Sequence, residues 1–192
     1  MTRRLKQFWY FVRHTTLHGW WVHTRFWWYT TKRERIIVSS ILVIVSVSVA
    51  IIAQQKIQLS QTRQALFCLA LNIYHEARGE PKAGQFAVAE VTMNRVKSTQ
   101  YPNTVCEVVH QRHWNPVRKR YSAAFSWTQY EYPVNLNSVA WQRAMSIARL
   151  VYQGDAKPKL NNALFYHARY VKPHWAKGRK VVARIGQHIF YQ

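Results

Sequence analysis

Acidic residues are scarce in this chain: 7 among 192, of which a single one, Asp155, is aspartate. A glycosidase that works with two carboxylates needs its second acid at a set separation from the first. So small a pool weighs against that arrangement and favours chemistry that needs one acid. Cysteine is nearly absent too. Cys68 and Cys106 are the only two, too few for a cysteine-based zinc cluster. No H-E-x-x-H occurs, and no internal repeat or heptad pattern runs through the chain.

What fills the chain instead is positive charge. Lys and Arg number 28, for a formal net charge of +21. Such a balance says little about fold but favours anionic partners, whether nucleic acid, phospholipid headgroups or acidic wall polymers. Composition does not choose among them.

Residues 36–53, IIVSSILVIVSVSVAIIA, lack charge, proline and glycine altogether. Eighteen residues of helix extend about 27 Å, close to a hydrocarbon core of about 30 Å. The serines are no obstacle, because their hydroxyls can bond back to the helix backbone. A transmembrane signal anchor is expected here. The competing readings are a buried helix of a soluble core and a cleaved signal peptide with Ser48-Val49-Ala50 as its cleavage site. Residues 1–35 carry eight basic side chains against Glu34 alone. The positive-inside rule then places the N-terminus in the cytoplasm and the residues after Ala53 outside it. That describes a single-pass protein of the inner (cytoplasmic) membrane with a periplasmic domain. FWYF at 8–11, Trp20, Trp21 and FWWY at 26–29 mix rings with the basic residues. Next to a span, that mixture suits a headgroup layer better than nucleic-acid stacking, and no nucleic-acid partner is expected.

Residues 54–63 read as a polar linker, and residues 64–192 as a mostly helical α+β domain. Leu66, Leu69, Ala70, Ile73 and Ala77 recur at helical spacing, and Gly79 with Pro81 reads as the stop. A second helix is expected over Lys82–Lys97, with Ala87, Val88, Val91 and Val96 facing the core. Thr104 and Glu107 form a T-x-x-E capping box for a third. A fourth is expected from Asn137 or Ser138 to Gln153, with Val139, Ala144, Ile147 and Val151 on one face and Gly154 ending it. Residues 112–134 show no period and read as a long basic, aromatic loop with room for one hairpin. Segments 163–168 and 181–192 read as short strands. Cys68 and Cys106 are either one disulfide, as an extracytoplasmic setting permits, or two free thiols.

One acid stands out. On a helical wheel Glu76 falls on the apolar stripe defined by Leu69 and Ile73. A carboxyl placed there is partly desolvated, which raises its pKa and keeps it protonated longer. General-acid cleavage of a glycosidic bond requires such a group. The bland alternative is a structural pair with Arg78 or Arg95. Glu80, past the Gly79 stop, reads as a favourable charge at the start of the next helix.

Several segments carry a resemblance. CLALNIYHEARGEPKAGQFAVAEVTMNRV (68–96), YPNTVCEVV (101–109), FSW (125–127), ALFYHARYVKPHWA (163–176) and IGQHIFY (185–191) occur in this order. Together they resemble the SleB/CwlJ-type cell-wall hydrolase family, known for spore cortex-lytic enzymes, over roughly residues 64–191. The resemblance implies a lysozyme-like, transglycosylase-type fold acting on peptidoglycan glycan strands without a cofactor or metal. It assigns the catalytic acid to the first glutamate of E-A-R-G-E, Glu76. That residue would protonate the oxygen joining N-acetylmuramic acid to N-acetylglucosamine and then serve as base while the muramic C6 hydroxyl attacks. Gln85, Ser126, Trp127, Tyr166 and His167 are the candidate substrate contacts, with holding Glu76 in place as the alternative role of Tyr166 and His167. Phe125 and Trp175 are further candidates for stacking on sugars, Asn94 is one for bonding sugar amides, and His75 is a neighbour able to perturb the acid. The rivals are a muramidase, an amidase that would use zinc through His110-x-x-His113, and a non-catalytic wall-binding protein.

Overall fold

A computed structural model describes residues 32–116, 119–130, 132–156, 160 and 162–192. Most of the basic aromatic tract (residues 1–31), Arg118 of the basic loop and Glu131 lie outside the described residues.

Helix α1 runs from Lys32 to Ala77 without interruption. The helix carrying Leu66 to Ala77 therefore begins well before the expected domain start at residue 64, and the polar linker at 54–63 is itself helical. The physical reason is simple. No glycine or proline occurs between Lys32 and Arg78, and Gln, Lys and Leu are good helix formers, so nothing breaks the backbone ladder. Within 36–53 the serines bond back as expected, Ser40 Oγ donating to the Ile36 carbonyl at 2.7 Å and Ser46 Oγ to that of Leu42 at 2.8 Å. Large apolar side chains from Ile36 to Ile52 are exposed, and the helix is long and apolar enough to cross a membrane.

Contacts separate a second unit, Gln58–Gln192. Its central element is α2, Lys82–Lys97. On one side, Ala89 joins the core made by Leu69, Ala70 and Ile73 of α1, Val105 and Val109 of α3 (Val105–Val109), and Trp141, Ala144, Ile147 and Ala148 of α4 (Val139–Gln153). On another, Ala87 and Val91 pack with Leu160, Ala163 and Phe190. Burial on two sides explains the small Gly84, Ala87, Val88, Ala89 and Val91 along its middle.

The caps fall where side-chain chemistry places them. Thr104 Oγ1 accepts from the Glu107 amide at 3.3 Å and donates to Glu107 Oε2 at 2.7 Å. Ser138 Oγ accepts from the Trp141 amide at 3.1 Å, and Gly154 ends α4 in the left-handed conformation at φ 82°. One face assignment changes: Val139 is 70% exposed and Trp141 takes the core position.

The aperiodic segment contains a hairpin, β1 (Arg112–Asn115) with β2 (Arg120–Ala123), followed by a 3-10 turn at Ser126–Gln129. Trp114 sits opposite Tyr121 across it, rings 5.3 Å apart. The C-terminal segments form an antiparallel sheet of β3 (Phe165–Ala168), β4 (Val181–Ile185) and β5 (His188–Tyr191), with β5 central. Cys68 and Cys106 are joined by a disulfide linking α1 to α3, with Cα atoms 5.3 Å apart.

Candidate active site

Helix α1 ends one residue after Glu76, so its last turn delivers that side chain to the edge of the core. Ile73 and Ala77 beside it are fully covered while Glu76 is half-buried. The carboxyl faces a cavity of about 600 Å³ lined by residues from all along the domain, among them His75, Ser126, Trp127, Tyr166, His167 and His188. Four of the five candidate substrate contacts thus share one cavity with Glu76. Gln85 does not. It is 2% exposed and donates its amide to the Glu80 carbonyl at 3.0 Å, a core position that fixes the turn between α1 and α2. Asn94 is likewise occupied, donating to the carbonyls of Leu160 and Ala163.

Burial holds the Glu76 carboxyl above the usual carboxylate range. Two influences oppose this. The Tyr166 hydroxyl donates to Glu76 Oε2 at 3.1 Å, and the positive charge of Arg95 favours the ionised form. Neither reverses the effect of burial. The proposed pairing with Arg78 or Arg95 is not made: among the described residues neither guanidinium forms an ion pair with Glu76. Arg95 Nε donates instead to the Leu164 carbonyl at 2.9 Å. Its guanidinium lies over the rings of Tyr101 and Phe125. Phe125 is accordingly core, 3% exposed, and not a sugar platform. The Tyr166 hydroxyl is pushed well up, by burial first and by the Glu76 charge second, so it stays a donor.

Trp127 is held from two sides. Its ring stacks on His75 with centroids 4.5 Å apart and planes 19° from parallel. Its Nε1 donates to Asn72 Oδ1 at 3.0 Å, while Asn72 Nδ2 donates to Thr92 Oγ1 at 3.1 Å. Asn72 is fully buried and lies one turn before Glu76. An amide on an apolar helical stripe was the signal available for it. Replacing Asn72 with Ala leaves the part-buried Trp127 Nε1 without its acceptor, while Thr92 Oγ1 keeps its bond to the Val88 carbonyl; a lost partner of this kind costs about 1–3 kcal/mol. Thermal unfolding of Asn72→Ala is expected to show that loss, together with a raised KM as Trp127 loses its anchor. His75 is driven towards its neutral form by burial and then by the Arg78 charge.

His167 is tied into the sheet. A carbonyl only accepts, so its Nδ1 donates to the Ala168 carbonyl at 2.9 Å, and its Nε2 is hydrogen-bonded with the Tyr191 hydroxyl at 2.8 Å. The other lining rings, Tyr130, Tyr132 and Tyr170, were not singled out in the sequence, where they are three tyrosines among 11. Trp175 is 41% exposed and packs on Phe165; it does not line the cavity. The His110 and His113 pair is not presented by one helix: His110 caps α3 and His113 lies on β1.

Removing the Tyr166 hydroxyl has a worked sign. Its bond to Glu76 favours the carboxylate, so Tyr166→Phe lets Glu76 stay protonated to higher pH. The alkaline limb of the pH–rate profile is expected to move up in that variant.

Comparison with known proteins concerns the domain that holds this cavity. The sequence pattern of the family described as Cell Wall Hydrolase matches residues 79–191, beginning just after Glu76. The spore cortex-lytic enzyme of Bacillus subtilis (strain 168) is 30% identical over 122 residues, covering 64% of this chain and 35% of that protein. Its counterpart in Bacillus cereus is 31% identical over 123 residues, covering 64% and 42%. This chain therefore spans well under half the length of these curated relatives. Among solved structures, the catalytic domain of the Bacillus cereus SleB protein is 30% identical, with a TM-score of 0.48 over 68% of this chain and 91% of that one. The catalytic domain of a germination-specific lytic transglycosylase, SleB from Bacillus anthracis, gives the same identity and TM-score over 67% and 93%. With the family pattern matched over more than half its length, the chain belongs to the cell wall hydrolase family.

Proposed function

We propose that this protein cleaves the bond from N-acetylmuramic acid to N-acetylglucosamine in peptidoglycan, acting as a lytic transglycosylase with Glu76 as general acid and base. The observation that carries this reading is the half-buried Glu76 carboxyl, free of any ion pair among the described residues, at the wall of a cavity rich in aromatic rings. Protonated Glu76 gives its hydrogen to the bridging oxygen as the glycosidic bond breaks. The muramic C6 hydroxyl closes on the anomeric carbon, and the Glu76 carboxylate ends the cycle by regaining a proton. No water is consumed, which suits a cavity whose described lining contains no second carboxylate. Glu131, between lining residues Tyr130 and Tyr132 in sequence, is assigned no role, and Glu131→Gln is expected to stay active.

The apolar run of α1 supports single-pass anchoring. Water is a poor surrounding for its exposed Ile, Val and Leu side chains, each worth about 1.5–3 kcal/mol when moved out of water. The protein is expected to stay with the membrane pellet after alkaline extraction and to be released by detergent. Combined with the charge of residues 1–35, this orientation puts residues 58–192 on the wall side of the inner membrane.

The test is mass spectrometry of the muropeptides that the full chain, in detergent micelles, releases from purified peptidoglycan. A lytic transglycosylase leaves 1,6-anhydro-muramic ends. Reducing muramic ends would mark a muramidase, freed stem peptides an amidase, and no release a binding protein.

A further inference from the structure

One buried polar atom of the domain is left unexplained by the reading above. His188, on the central strand β5, is 8% exposed, and among the described residues its Nδ1 is the buried side-chain atom without a hydrogen-bond partner. The carboxylate oxygen facing it is Glu80 Oε1, 3.8 Å away. Such an orphan in a native fold calls for an explanation, and a catalytic role is one of the recognised kinds.

Glu80 itself is held firmly. Pro81 is the N-cap of α2 and no side chain caps that end. Glu80 instead reaches across to the turn between β4 and β5, where its Oε2 accepts from the Gln187 amide at 2.8 Å. Gly186 turns there at φ 57°, and a Cβ on it would collide with Glu80 Oε2. Glycine is needed at this point for both reasons. The carboxylate is thus placed beside His188 Nδ1 by backbone contacts. A negative oxygen facing a ring nitrogen favours N–H there and disfavours a lone pair. This selects the tautomer protonated at Nδ1, as a carboxylate does for a histidine whose other nitrogen must act.

The opposite corner of the ring is then a lone pair. Nδ1 is the buried nitrogen, so Nε2 is the one left to meet the cavity that His188 lines together with Glu76 and Tyr166. The ring stands edge-on to Tyr166 with centroids 5.3 Å apart, and Tyr166 carries the hydrogen bond to Glu76. The charged or titratable groups around it are Glu80 from the turn before α2, Tyr166 and His167 from β3, and Glu76 beyond Tyr166. Burial first, and His167 after it, favour the neutral ring against the opposing pull of Glu80.

We propose that His188, oriented by Glu80, is a second proton-handling residue of the site and takes the hydrogen of the attacking C6 hydroxyl while Glu76 protonates the leaving oxygen. This rests on the transglycosylase reading. The muramic O6 bonds to the anomeric carbon as its O–H bond breaks, and the proton goes to His188 Nε2. The bond from the anomeric carbon to the bridging oxygen breaks in the same event, and that oxygen receives the Glu76 proton. Imidazolium and carboxylate then cancel by transfer of one proton through cavity water. Both groups are restored, and no water is added to the product. This assignment leaves Glu76 the acid half of the cycle and gives the base half to His188, since a protonated carboxyl cannot accept a proton in the same event in which it gives one.

The experiment measures release of anhydro-muropeptides by the full chain in micelles, for wild type, His188→Gln, His188→Ala and Glu76→Gln. His188→Gln is expected to lower kcat by about 10²–10⁴ with KM nearly unchanged, and to abolish the acidic limb of the pH–rate profile. Added imidazole is expected to restore part of the His188→Ala activity in proportion to its neutral form. The Gln variant keeps the test open if the Ala variant fails to fold. A rate near wild type in either variant, or a loss that imidazole leaves untouched, overturns the role of His188. If Glu76→Gln also still forms anhydro ends, the underlying reading fails instead, and the two failures are told apart.

Discussion

Glu76→Gln is expected to reduce muropeptide release by at least 10²–10⁴, the range that a lost general acid accounts for, while leaving the fold intact. Glutamine keeps the shape and can still accept from the Tyr166 hydroxyl, so glycan binding should survive with KM little changed. Loss of kcat without loss of binding is the signature of an interaction made in the transition state. A non-catalytic wall-binding protein gives the opposite pattern, with the biological effect retained in the variant.

The same substitution has a stability consequence with a definite sign. Burial raises the Glu76 pKa in the folded state above its unfolded value, so the folded protein binds the proton more tightly than the unfolded one. Stability contributed by this group is fully present below the ordinary carboxylate range and falls as pH rises through the raised pKa. At neutral pH the carboxylate is therefore a burden on the fold. The melting temperature of Glu76→Gln is expected to equal or exceed that of wild type near pH 7, with the advantage disappearing as pH falls to about 4. A functional residue held at a cost to stability is a familiar compromise.

The second large effect concerns the disulfide. Cys68 and Cys106 close a loop with a sequence separation of 38. In the chain-entropy account, cross-linking such a loop removes about 4 kcal/mol of freedom from the unfolded chain. Cys68 precedes Glu76 by two helical turns on α1, and the bond ties that helix to α3. Reduction, or Cys106→Ser, is expected to lower the melting temperature by on the order of 10–15 °C for a domain of this size. Neither cysteine lines the cavity, so activity measured well below the transition should persist. An unchanged melting temperature in reductant would show that the bond contributes nothing.

How much of this could be read from the chain differs by element. Caps at Thr104 and Ser138 and the stop at Gly154 depend on neighbours within a few residues, and the local sequence contains all of them. Glu76 was visible because helical periodicity places it among Leu69 and Ile73 with no tertiary knowledge needed. The helical state of residues 54–63 was not legible because their polarity hides it, whereas polar residues without Gly or Pro continue a helix readily; the boundary between the two units falls within this stretch. Gln85 was a candidate substrate contact and is core, because α2 is covered on two sides and its sequence does not say which. The Asn72–Trp127 bond spans a sequence separation of 55, and Glu80 meets Gln187 at 107. Contacts at that range depend on how helix and hairpin meet, which no window of sequence contains. His188 belonged to a recognised segment, IGQHIFY, yet only the fold reveals that one of its nitrogens is buried beside a carboxylate and the other is left for the cavity.

The most direct measurement is the carbon-13 titration of the Glu76 side-chain carboxyl in the full chain in micelles, assigned by its disappearance in Glu76→Gln. A midpoint clearly above that of an exposed glutamate is expected, moving higher still in Tyr166→Phe. A midpoint at or below the exposed value would mean that the group is already ionised where the protein works, and a proton donor at this position would be ruled out.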